Sequence, residues 1–472
     1  MSKFYITTAI PYVNAPPHVG HALEFIQADV VARYHKLIGD DVTLLSGGDE
    51  NALKNVQAAE SAGRNVQEFV DEYSKLFEEL AKKLNVQFNI FQKGSSEQHH
   101  KSSQKLWELC NTSRDIYKKE YSGLYCVGCE LFYSPDELDE NGECLEHPGK
   151  KLEKVTEENY FFKLSKYQKN IIDLIQTNKL SIVPDKRKNE VLSFLKNPLQ
   201  DISISRSNSR AKNWGVPVPG DETQRMYVWF DALNIYQSGI GFSWDTDMYK
   251  KWWPADVHVI GKGIIRFHAI YWPAFLLSAK LSLPKQIFVH EYFTVNGQKM
   301  SKTLGNVVDP VGLVEKYGAD GVRFYFLKHF SPFSDGDFAE DKFIEAYNAD
   351  LANGLGNLVA RVAKLCEKVE LDKPTEPKLN DQYKQTFEQY KFNELLNEVW
   401  KRISEIDQEI EKEQPWKVED LVKLKALLQD WVDRINQIAF ELKPFLPETS
   451  DKIQNLFSQR KIQSAAPLFP RI

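Results

Sequence analysis

Residues 11–21 read Pro11-Tyr12-Val13-Asn14-Ala15-Pro16-Pro17-His18-Val19-Gly20-His21. Before them stands a short apolar run, Phe4 to Ile10, with the length and composition of a buried strand. After them, Val19, Ala22, Leu23, Ile26, Val30, Tyr34 and Leu37 recur near helical spacing, and Gly39 supplies a C-terminal stop. Asp41-Val42-Thr43-Leu44-Leu45-Ser46-Gly47-Gly48 then reads as a second strand ending in glycines. Strand, helix and strand make a βαβ unit, which predicts a parallel sheet with a ligand crevice at the strand C-termini. His18 and His21 open the helix, where free N–H groups and the macrodipole favour a phosphate. Three residues apart, they share one face, and Gly20 keeps the surface low enough for a flat base or a phosphate to approach. Two histidines at a helix start are also compatible with plain surface residues, so a partner motif elsewhere has to decide.

A chain of 472 residues is too long for one core and predicts about three domains. With 42% hydrophobic and 27% charged residues it has the composition of a soluble globular protein. The net charge of −6 gives no sign of a nucleic-acid binder by itself, although local basic patches can act under an acidic total. Strand pattern begins directly after Met1-Ser2-Lys3, and no apolar stretch approaches the roughly 18 residues that cross a bilayer. The expectation is a cytoplasmic protein with no membrane partner.

Cys110 and Cys366 stand alone, whereas Cys126, Cys129 and Cys144 crowd together in a segment, Gly123 to Gly149, of different composition. Cys126-x2-Cys129 and Cys144-x2-His147 form two knuckles that can close on one tetrahedral zinc. Three thiolates and an imidazole leave no open position, so a structural Zn2+ is expected. The basic run Lys186-Arg187-Lys188 reads as a solvated face.

Asp49 lies just past the second strand, suited either to hold a ligand's ammonium group or to cap the helix starting near Ala52. A sheet pattern seen again at Arg225 runs through Trp229, Asp231 and Tyr236, which either wall a small ligand or fill core. A further strand, Asp256 to Gly261, leads through Lys262-Gly263 into a helix from Ile264 to Ser278. His268, one turn inside it, either donates to a ligand or is a satisfied core histidine. After a strand at Gln286–His290 and the turn signal Asn296-Gly297 come Lys299-Met300-Ser301-Lys302-Thr303. Two lysines on a loop are plain surface charge or, if mobile, partners for a polyphosphate in its transition state. Beyond about Asp341 the pattern is helical: Asn348 to Lys364, then Phe392 to Ile410, broken at Pro415-Trp416.

Taken together, the His18-x-Gly20-His21 element and Lys299-Met300-Ser301-Lys302-Thr303 resemble the paired nucleotide signatures of the class I aminoacyl-tRNA synthetases. The residues between them resemble the methionine-specific family, over essentially the whole chain. The resemblance implies an α/β fold: a Rossmann-like parallel-sheet catalytic domain with a zinc-knuckle insertion, followed by an all-α helical anticodon-binding domain. Its expected divisions are 1–115 and 226–295 for the two halves of the catalytic domain, 116–225 for the connective insertion, 296–345 for the signature loop and linking region, and 346–472 for the helical domain.

The same resemblance implies that His18, His21, Lys299 and Lys302 act in catalysis and that Gly20, Ser301 and Lys302 join the histidines in binding ATP with Mg2+. Ile10, Tyr12, Asp49, Trp229, Tyr236 and His268 would bind L-methionine, with Asp49 on its ammonium group. Asn357, Arg361 and Trp416 would read the anticodon of tRNA(Met). Asn51-Ala52, Gly263 and Thr303 depart from the His-Gly, Asp and Ser common among relatives, and Gly263 is expected to remove a hydrogen bond near the pocket. Synthetases for leucine, isoleucine or valine share the signatures but carry a much larger insertion, while a non-catalytic paralogue would be expected to have lost a signature histidine or lysine. No domain follows the helical one, so a monomer is expected.

Overall fold

The computed structural model describes residues 2–126, 131–133, 138–144, 152–298 and 307–472, without the side chains of Tyr121, Leu131 and Phe132. The chain forms two compact units, one of Met1–Pro17, Gly39–Lys82 and Gln87–His290, the other of His18–Ile38, Lys83–Val86 and Glu291–Ile472. The division falls between Pro17 and His18. The strand β1 (Lys3–Thr7) and the helix α1 (Val19–Leu37) therefore belong to different units.

In the first unit the sheet comprises β1, β2 (Asp41–Gly48), β3 (Ile90–Lys93), β4 (Ser181–Val183), β5 (Val257–Gly261) and β6 (Gln286–His290), in the order β3-β2-β1-β5-β6-β4. All neighbours are parallel, and β1 runs against β2 from Lys3 opposite Asp41 to Thr7 opposite Leu45. Their buried runs suit a sheet covered on both faces. Strand order reverses at β1 and β5, and a crevice opens beyond the strand C-termini at such a switch point. The glycines ending β2 have a packing reason: a Cβ on Gly47 would lie 2.3 Å from the Gln92 carbonyl oxygen.

Residues 116–225 hold an antiparallel four-stranded sheet, Leu131–Tyr133, Ile116–Cys126, Glu153–Phe162 and Ile202–Ser203 in spatial order, and also contribute β4 to the edge of the parallel sheet. The sheet pattern read at Arg225 to Tyr236 is not borne out. Asp221–Met226 is a strand of a small antiparallel sheet, and the aromatic run after it forms two short helices, α2 (Val228–Ala232) and α3 (Ile235–Ser238). Every residue from Val228 to Ser238 is buried, and a short apolar run buried on all sides has the same composition in either conformation.

The second unit combines α1 with α4 (Ala319–Lys328), a continuous helical run from Glu340 to Cys366 whose last part is α5 (Asn357–Cys366), α6 (Asp381–Glu388), α7 (Phe392–Glu413), α8 (Leu421–Leu442) and α9 (Pro447–Phe457). Tyr34 of α1 stacks on Phe387 of α6 with centroids 3.9 Å apart, and Phe387 continues to Phe392 and Phe445.

Candidate active site

At the C-terminal edge of the parallel sheet, an isolated parallel bridge between Tyr12 and Asp49 extends the pairing of β1 with β2, and Asp49 N–H donates to the Pro11 carbonyl (2.8 Å). Asp49 is 3% exposed. It does not cap the following helix, whose N-cap is Ala52 without a side-chain bond, so that alternative falls. Glu50 beside it turns inward, held by Ser74 and by Ser95 N–H and Oγ, and burial pushes its carboxyl above the usual range.

The wall of this corner is aromatic. Tyr12 meets Trp229 edge-on (centroids 6.3 Å, 87°), and Lys54 Nζ sits over the Tyr12 ring. Trp229 stacks on Phe267 at 3.6 Å and 3°, and its indole N–H is buried with no hydrogen-bond partner among the described residues. Ile10 packs against the same core. His268 Nδ1 lies 3.0 Å from the Ile264 carbonyl, which can only accept, so Nδ1 carries the proton and Nε2 accepts from the Tyr236 hydroxyl at 2.7 Å. Burial lowers its pKa to about 4. The imidazole is neutral with both nitrogens engaged, one of them on the Tyr236 hydroxyl.

Sequence reading gave no sign of what stands behind this wall. Asp231, expected in it, is buried, accepting from Asn51 Nδ2 (2.7 Å), His99 Nε2 (2.5 Å) and Ser103 Oγ (3.1 Å). His99 Nδ1 lies 2.7 Å from Ser238 Oγ, and Asn51 Nδ2 also reaches the Gly94 carbonyl (2.8 Å). Asn51 therefore ties the end of β2 to α2 and to the residue that follows β3. His258 was also missed: its Nδ1 lies 2.7 Å from Thr7 Oγ1 and its ring 4.3 Å from that of Tyr236. The bonds that reach α2 and α3, and the one from His258 to Thr7, join residues 128 to 251 apart in sequence, so no local pattern points to them.

In the second unit, His18 is the N-cap of α1. Gly20 N–H donates to His18 Nδ1 (3.0 Å) and His18 N–H to His21 Nδ1 (3.2 Å), a capping box built from imidazoles. Because both Nδ1 atoms accept, both rings carry their proton on Nε2. The rings lie 4.0 Å apart, and burial, with His18 alongside, holds His21 well below the usual histidine range. Two imidazoles with the proton on Nε2 thus stand at a positive helix end. Lys299, Ser301 and Lys302 lie outside the described residues.

Farther along that unit, Arg361 of α5 has its guanidinium 5.5 Å from the ring of Trp416, which is 46% exposed. Arg361 Nη2 reaches Glu411 at 2.5 Å. Burial raises the nearby Asp407 carboxyl despite Arg361. Asn357, one turn before Arg361, is exposed. Cys126 and Cys144 are buried, the Cys144 thiol 3.3 Å from the Tyr133 hydroxyl. Cys129 and His147 lie outside the described residues, and among those described no group of three or more candidate ligands is placed to hold a metal.

The fold and these sites define the core of a class I tRNA synthetase: a family profile described as "tRNA synthetases class I (M)" matches residues 4–363. The methionine--tRNA ligase of Thermotoga maritima is 39% identical over 96% of this chain and 74% of its own. That of Nostoc sp. is 41% identical over 95% and 89%. Methionyl-tRNA synthetase of Mycobacterium tuberculosis, solved in complex with methionyl-adenylate, superposes with a TM-score of 0.93 at 35% identity, covering 100% of both chains. The chain belongs to the methionyl-tRNA synthetase family.

Proposed function

We infer that this chain joins L-methionine to tRNA(Met) at the expense of ATP. The observation that carries the reading is the aromatic corner at the switch point, with the Asp49 carboxylate at its rim and Tyr236 pinned by a neutral His268. In the first step the methionine carboxylate attacks the α-phosphorus of ATP, the bond to the β-phosphate oxygen breaks, and pyrophosphate leaves. In the second, the 2′-hydroxyl of the terminal ribose attacks the mixed anhydride and AMP departs. Asp49 would hold the ammonium group, and Ile10, Tyr12, Trp229 and Tyr236 the thioether, whose polarizable sulfur favours ring contacts.

His18 and His21 would donate Nε2–H bonds to the triphosphate, with Gly20 beneath the base, while Lys299, Ser301 and Lys302 engage it as charge develops; Mg2+ enters with ATP. No general base is required, so positioning and charge stabilisation carry the rate. In the helical region 346–472, Asn357 and Arg361 would bond anticodon bases and Trp416 would stack one of them. Cys126, Cys129, Cys144 and His147 would hold one structural zinc in the 116–225 insertion; the burial of Cys126 and Cys144 suits a closed thiolate site. A cytoplasmic monomer fits this role. Methionine-dependent ATP–pyrophosphate exchange, run against each amino acid, tests the reading: exchange with leucine or valine but not methionine would overturn it.

A further inference from the structure

The charged residue most completely enclosed in the second unit is Arg323 of α4, with 0% exposure. Its Nη1 lies 2.7 Å from Asp29 Oδ2 on α1 and 3.3 Å from the Leu84 carbonyl. Its Nε donates to the Phe445 carbonyl at 2.7 Å and its Nη2 to that of Pro444 at 2.9 Å. Asp29, itself 1% exposed, takes a second bond from Arg33 Nε (2.6 Å), and Arg33 continues to the Asn85 carbonyl. One guanidinium therefore joins four segments: α1, the 83–86 strap, α4, and the corner between α8 and α9.

We propose that Arg323 is a positioning residue for ATP, holding α1 so that His18 and His21 stand where the triphosphate needs them. The proposal rests on the reading of those histidines as triphosphate ligands. Asp29 follows His21 by eight residues and His18 by eleven, which on an α-helix is about 12 and 16 Å. Over that length a helix is stiff, so an error in rotation or tilt at Asp29 is carried to its N-terminus. A guanidinium suits the task because its donors lie in a fixed plane and fork. Bonds to a carboxylate on α1, a carbonyl of the 83–86 strap and two carbonyls of the 444–445 corner fix α1 in rotation and translation together. An apolar side chain of similar volume would fill the same space without desolvating a cation, but it would leave the helix free to turn.

The clasp also ends on the corner that closes α8. That helix packs against α5, which carries Asn357 and Arg361. The histidine helix and the corner that closes α8 are thus fastened at one guanidinium.

The test is a split between substrates. Arg323→Met, Arg323→Lys and Asp29→Asn are assayed by ATP–pyrophosphate exchange with ATP and methionine varied in turn, the fold of each checked by thermal melting. The expected result is a fall of about tenfold or more in kcat/KM for ATP with KM for methionine within about twofold, and no rescue by lysine, which lacks the fork. If Arg323→Met does not fold, Asp29→Asn decides, because it keeps the volume and the three carbonyl bonds while weakening the tie to α1. A folded variant with unchanged ATP parameters, or with methionine KM rising in parallel, overturns the proposal. His21→Ala is run beside them. Unchanged exchange in that variant refutes the histidine reading itself, whereas loss there with unchanged Asp29→Asn refutes only the clasp.

Discussion

His268 shows how much a single side chain is decided by its partners. The sequence places a histidine one turn into a helix beside a pocket, and two roles fit. The distances to Ile264 and Tyr236 choose its tautomer, with the proton on Nδ1 and Nε2 accepting. The choice has a consequence for stability. The folded pKa of about 4 lies below the ordinary 6.5, so the folded chain binds fewer protons than the unfolded one as pH falls. The stabilisation is complete above about pH 6.5 and is lost progressively down to about pH 4, about 3 kcal/mol in all. His21 and His258 are shifted the same way by burial and add to the slope. Urea unfolding at about pH 7 and about pH 4.5 should therefore show a smaller loss of stability in His268→Gln than in the parent. Equal losses would mean that the imidazole is not neutral in the folded chain.

At the scale of elements, β2 was legible to the residue because an apolar run of strand length ends in two glycines, and α1 because its apolar spacing is regular and its stop is a glycine. The edge strand β4 was not legible, being three residues whose only strong cue is pairing with β6. The α2–α3 segment misled because its hydrogen bonds close within it, as Asn234 N–H to the Asp231 carbonyl, while its composition is that of a strand. What orients this segment is the strut of Asn51, Asp231, His99 and Ser238. Asn51→Ala removes one bond to a buried carboxylate, worth about 1.5–3 kcal/mol, and leaves an oxygen unsatisfied. We expect methionine KM in pyrophosphate exchange to rise about tenfold with ATP KM nearly unchanged, since α2 and α3 carry Trp229 and Tyr236. A parallel rise for both substrates would show a general loss of structure. The α5 face makes the opposite prediction. Trp416→Ala should raise the KM for tRNA by about one to two orders of magnitude, as expected for one lost base stack, and leave exchange intact. A tRNA KM unaffected by the change would remove Trp416 from the anticodon site.

At the scale of the molecule, the partition of the chain departs most from what its order suggests. From sequence, β1, α1 and β2 form one βαβ unit, and the strands do pair in parallel. Yet α1 belongs to the compact unit of α4 through α9. Local periodicity cannot express this, because the ties that decide it, Asp29 to Arg323 and Tyr34 to Phe387, span hundreds of residues of sequence. Cooperative units are reported by amide hydrogen exchange, which distinguishes segments that open together from those that do not. If the partition is physical, the amides of α1 exchange with a free energy matching that of α4 and α8, distinct from that of β1 and β2. Asp29→Asn then lowers protection in α1, α4 and the 444–446 corner by similar amounts, while β1, β2 and β5 keep theirs. Loss of protection confined to α1, or shared by α1 and its flanking strands, would place the helix with the sheet and remove the mechanical basis of the clasp.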